Sequence, residues 1–100
     1  MNDRNPKAYV VTLEYHEEGL ADLMELNSAM INGGFKTALH DSDGHPHELG
    51  TNSFGIISAN DEDTLCKQAE GLAEMALDKK PAVKIATFEA FLSQHADNRR

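Results

Sequence analysis

A small α+β sandwich is the fold class this sequence predicts, on two observations. Hydrophobic periodicity switches along the chain between about 2 and about 3.6 residues. The switches come in the order strand, helix, strand, strand, helix, strand, with a short helical stretch at the end. A length of 100 residues suits one such domain and one modest core.

The first strand is AYVVTLEY (8–15), where Tyr9, Val11, Leu13 and Tyr15 alternate with Val10, Thr12 and Glu14. Its aromatic and β-branched content suits a pleated surface. GLADLMELNSAMINGG (19–34) changes period: Leu20, Leu23, Met24, Met30 and Ile31 collect on one helical stripe, and Gly33 and Gly34 stop it. FKTALH (35–40) reads as a second strand and NSFGIIS (52–58) as a third. Asn60 is placed to cap a second helix, and Asp61, Glu62 and Asp63 suit the positive end of its dipole. Leu65, Ala69, Leu72 and Ala76 form the buried stripe of that helix. AVKIA (82–86) is a short fourth strand, and TFEAFLSQ (87–94) supplies a final helical turn or two.

The order β-α-β-β-α-β is the ferredoxin-like pattern. It predicts a four-stranded antiparallel sheet of spatial order 4-1-3-2, with both long helices on one face. The expected domain spans residues 8–94, between polar tails at 1–7 and 95–100. In that arrangement the end of the first strand, the segment 40–48 and the lysines before the fourth strand share one rim of the sheet. Val10 and Ile57 or Ile56 lie on the open sheet face.

Composition narrows the function classes. Seventeen acidic side chains face nine basic ones, a formal charge of −8. General nucleic-acid affinity comes from neutralising phosphates, so any RNA contact must be local, and DNA is not an expected partner. The single cysteine, Cys66, excludes an internal disulfide and a cysteine-rich metal site. No apolar run approaches the ~18 residues of a membrane span, so a cytoplasmic chain without membrane contact is expected.

Candidate chemistry gathers in HDSDGHPHELG (40–50), which holds three of the five histidines. His45 and His47 offer imidazoles for general acid–base catalysis of RNA strand transfer. With Asp41, Asp43 and Glu48 they also offer donors to a divalent ion, although no cofactor is called for by any strong motif. The same stretch reads equally as a solvated hairpin, because SDG is good turn chemistry and Pro46 suits a strand edge. Lys79 and Lys80 can clamp a phosphate or simply close a helix. Tyr9, Tyr15 and Phe54 read as core residues, and Cys66 as an inert small hydrophobe.

The spacing Asp41, Gly44, Pro46, Leu49, Asn52, Ser53, Phe54, Ile56 resembles the central stretch of the GhoS antitoxin family. YVVTLEY (9–15), Gly34-Phe35 and T-x-E-x-F (87–91) sit at similar spacings. The resemblance implies a ferredoxin-like fold and an endoribonuclease that cuts the messenger RNA of a small membrane-damaging toxin. It also implies a role for Glu14, which resembles an acidic residue near the same strand end in nucleases of this shape. One departure stands out: the family's first helix carries arginines implicated in cleavage, where this chain has Glu25 and Asn27. Two readings follow: an antitoxin ribonuclease, expected as a homodimer with Glu14, His45 and His47 catalytic and Lys79 and Lys80 on RNA, or a catalytically silent dimeric module that binds a protein or small ligand.

Overall fold

The computed structural model describes residues 5–16 and 19–96, with side chains as far as residue 94. The remaining parts of the expected tails lie outside the described residues. Among those described, the elements run β1 (Lys7–Glu14), α1 (Leu20–Asn32), β2 (Ala38–His40), β3 (Pro46–Glu48), β4 (Ser53–Ser58), α2 (Glu62–Leu77), β5 (Ala82–Thr87) and α3 (Phe88–Ala96).

The main sheet has three strands in the order β4-β1-β5, with both neighbours antiparallel to β1. β2 and β3 pair separately as a two-stranded ribbon. The expected four-stranded sheet of order 4-1-3-2 is therefore not formed. The segment expected as its outer strand meets β4 at one bridge, where Lys36 and Gly55 exchange N–H···O bonds of 2.7 Å. Two residues later Ala38 already pairs with Glu48. The physical reason lies at Gly55: Leu39 folds over it so closely that a Cβ there would sit 2.6 Å from Leu39 Cδ1. Continuing the ladder would forfeit the burial of Leu39, which is packed with Val10, Leu49 and Phe88. Gly50 and Asn52 both have positive φ and break the chain between β3 and β4.

β1 is buried on both faces. Val11 and Leu13 are 0% and 1% exposed beneath α1 and α2, while Val10, at 2%, lies under α3 and the ribbon. The sheet face expected to be open is thus closed at Val10. Each fully buried side chain of this size contributes about 1.5–3 kcal/mol of transfer free energy.

α1 ends in a Schellman motif. Phe35 N–H donates to Met30 O at 2.9 Å and Gly34 N–H to Ile31 O at 3.1 Å, with Gly34 at φ 102°. Phe35 and Met30 both enter the core, which fixes the roll of the helix. Leu26 and Met30 face the sheet, while Leu20, Met24 and Ile31, expected in the buried stripe, are exposed. α2 buries Leu65, Ala69, Ala73 and Leu77, so its inner stripe lies slightly to one side of the one expected through Leu72 and Ala76. Asp61, rather than Asn60, caps it by accepting from Thr64 N–H at 2.9 Å. α3 is capped by Thr87 Oγ1, which accepts from Ala90 N–H at 3.1 Å. Phe88, Phe91 and Leu92 pack this helix on the far face of β1.

Candidate functional site

The ribbon turn is organised by one carboxylate. Asp41 Oδ1 accepts the backbone N–H groups of Asp43 and His45, each at 2.9 Å, and Gly44 supplies the positive φ, 83°, that the turn needs. Its other oxygen, Oδ2, lies 2.8 Å from His47 Nε2 and 3.9 Å from His45 Nδ1. His45, just before β3, and His47 within it thus both approach the same carboxylate oxygen. His47 also packs its ring edge-on to Phe88, with centroids 5.9 Å apart, which docks the ribbon onto the start of α3. His45 is 75% exposed and His47 36%, so both reach solvent.

The His47 hydrogen bond, backed by the amide of His45, lowers the Asp41 pKa from 3.8 to about 2. The folded state therefore holds fewer protons here than the unfolded chain between about pH 2 and 3.8. Stability from this carboxylate is in full force above the ordinary value and fades as pH falls towards 2. Urea titrations across pH 5 to 2 should show a steeper loss for the wild type than for Asp41→Asn; parallel losses would contradict it.

Asp41, Asp43 and His45 each bring one donor atom within 4.8 Å of the others, near enough for a divalent ion to touch all three. They are exposed or half-exposed, and proximity alone assigns no ion to them.

Glu14 belongs to a different neighbourhood. The register pairs Glu14 with Ala82 and Thr12 with Lys84, which places Lys84 diagonally across from Glu14. Lys84 Nζ and Glu14 Oε2 are 3.1 Å apart. Thr12 Oγ1 meets Ser53 Oγ at 3.1 Å on the adjacent strand. Lys79 lies at this end too, donating from Nζ to His16 O at 2.7 Å, and Lys80 beside it is exposed.

The expected common rim is therefore divided. Glu14, His16, Lys79 and Lys80 gather where β1 ends, whereas His47 sits against Phe88, next to the Thr87–Tyr9 pair where β1 begins. The five residue-to-residue steps from Tyr9 to Glu14 separate those two ends by about 17 Å of extended strand. The hairpin leaves the rim because Leu39 and Leu49 carry the ribbon onto the α3 side.

Two further expectations concern residues away from this chemistry. Tyr9 and Phe54 are buried, and half-buried Tyr15 donates to Asn52 Oδ1 at 3.0 Å. The Cys66 thiol is pushed up by burial and by the Asp63, Glu62 and Glu70 carboxylates, which suits an unreactive side chain.

The family described as Endoribonuclease GhoS matches residues 1–94 of this chain. The chain belongs to the GhoS family. Two curated relatives, each named Uncharacterized protein YdiZ, come from Escherichia coli strain K12 and from Escherichia coli O157:H7. Each is 39% identical over 85 residues, covering 85% of this chain and 88% of its own length. In this GhoS-family chain Glu25 and Asn27, which stand where the resemblance places arginines, are exposed on α1. No helix among the described residues is long and apolar enough to cross a membrane.

The sequence offered Asp41 only as a possible ion donor, and neither its contact with His47 nor that of Lys84 with Glu14 was foreseen, although each left a signal. D-S-D-G is the signature of an aspartate that hydrogen-bonds its own turn, and such a carboxylate, six residues before His47, can reach back across a short ribbon. Lys84 stands out once β1 and β5 are taken as antiparallel neighbours, because the period of two then puts it on the face of Glu14.

Proposed function

We propose that this GhoS-family protein is an endoribonuclease antitoxin that acts in the cytoplasm on the messenger RNA of a small membrane-active toxin. The observation that carries the reading is the match to a family described as an endoribonuclease across residues 1–94. The ribbon supplies chemistry suited to it. One imidazole of the His45–His47 pair takes the proton of a ribose 2′-OH as that oxygen attacks the adjacent phosphorus. The other gives a proton to the departing 5′ oxygen, and a 2′,3′-cyclic phosphate results. Asp41, 2.8 Å from His47 Nε2, orients that ring. Lys79 and Lys80 hold the backbone of a neighbouring stretch of RNA, and Glu14 contacts substrate there rather than at the scissile bond.

Incubating the pure protein with a panel of RNAs, with and without EDTA, tests this. The expected result is cleavage that persists in EDTA and leaves cyclic phosphate ends; RNA left intact in both arms overturns it. The silent-module reading counted on an open sheet face, which α3 and the ribbon close at Val10 but which still presents Ile57 at 56% exposure.

The proposed assembly is a homodimer. Its support is an apolar groove between α1 and α2 that presents Met24 at 60% and Met75 at 82% exposure. Sedimentation at micromolar protein should give about twice 11.0 kDa, and the monomer mass would count against the dimer.

A further inference from the structure

We propose that the cavity between β1, β5 and α3 is a guanine-binding subsite in which Glu14 and Lys84 read one edge of the base. The inference rests on the RNA reading above and extends it to specificity. The cavity holds about 370 Å³ and has apolar walls from Ile85 and Phe91, with Thr12, Glu14, Lys84 and Gln94 supplying polar groups. That volume and that mixture suit one small planar ligand.

The decisive feature is an acceptor beside a donor. Glu14 Oε2 and Lys84 Nζ stand 3.1 Å apart, on strands whose register sets their spacing. Their charges cancel, so the pair offers little to a free phosphate and more to a neutral, strongly dipolar base. Guanine presents N1–H, the 2-amino group and O6 in one row. A carboxylate accepts both N–H groups in a bidentate contact, and the neighbouring ammonium donates to O6. Adenine and cytosine instead turn a ring-nitrogen lone pair towards that edge, and uracil offers one N–H where the carboxylate has two oxygens. Each of these leaves a charged oxygen without its partner. Phe91 supplies an apolar wall for the ring face, as aromatic side chains do for unstacked bases.

The subsite also suits an acidic chain. Reading a base edge needs no phosphate, so the overall charge of −8 opposes it less than it opposes a backbone clamp. With the hairpin histidines towards the other end of β1, the base bound here belongs to a nucleotide a few positions from the bond cut.

Calorimetric titration of the intact protein with GMP, AMP, CMP and UMP tests the assignment. GMP should bind at least about tenfold more tightly than the other three, the discrimination of one good bidentate contact. IMP, which lacks the 2-amino group, should lose most of that margin. Glu14→Gln and Lys84→Met replace side chains that are 53% and 69% exposed, so both variants should keep the wild-type melting temperature while binding GMP at least about tenfold more weakly. Four equal titrations, no saturation by GMP at millimolar concentration, or wild-type affinity in both variants would overturn the subsite. GMP binding with RNA left uncut upholds the subsite and removes the ribonuclease reading, while cut RNA with four equal titrations does the reverse.

Discussion

His47→Ala is expected to lower the rate of RNA cleavage about a hundredfold or more, the usual contribution of a positioned acid–base group. His47 is the member of the pair with fixed geometry, held through Nε2 by Asp41 at 2.8 Å and against Phe88 by its ring. Asp41→Asn should also lower the rate, because the imidazole survives but loses the acceptor that fixes its tautomer and orientation. His45→Ala should match His47→Ala if the two histidines divide the proton transfers. Single-turnover rates on one defined RNA separate chemistry from binding. An unchanged rate in His47→Ala, with the fold intact by circular dichroism, would remove the ribbon from the mechanism.

Phe54→Ala should produce the largest loss of stability, about 3–5 kcal/mol. Phe54 is 1% exposed, is paired with Val11 across the sheet, and meets α1 and α2 in the main core. Domains of this size have about 5–15 kcal/mol in total, so the variant sits near the edge of folding. At about 4–8 °C per kcal/mol, the melting temperature should fall by about 12 °C or more. A fall of only a few degrees would mean that the core collapses around the vacancy.

Much of this arrangement was legible in the sequence, because β1 and α2 carry strong periods. The alternation of Val11 and Leu13 with Val10 and Thr12 correctly separated the two faces of β1. Periodicity did not reveal that the second face is also covered, since α3 is short and its Phe88, Phe91 and Leu92 come at the end of the chain. The roll of α1 was misjudged for a related reason. Its apolar residues nearly encircle it, and only tertiary contact through Phe35 and Met30 selects Leu26 over Leu20 and Met24. The outer strand was lost at Gly55, where a missing Cβ makes room for Leu39; a one-dimensional pattern does not show which side chain will fill such a gap.

The histidines of the candidate site were visible as a cluster, and the turn that organises them could be read from D-S-D-G. Their separation from Glu14 was not visible, because it depends on where the ribbon lands. The Glu14–Lys84 contact follows from register alone, which the sequence leaves open until β1 and β5 are paired.

The single bridge at Lys36 and Gly55 gives the ribbon a hinge, and the Leu39 side chain acts as its latch. Such an appendage opens at a fraction of the free energy needed to unravel the sheet. Amide protons of residues 38–48 should therefore exchange through their own local equilibrium, and whatever grips the latch governs how long the histidines hold their pose.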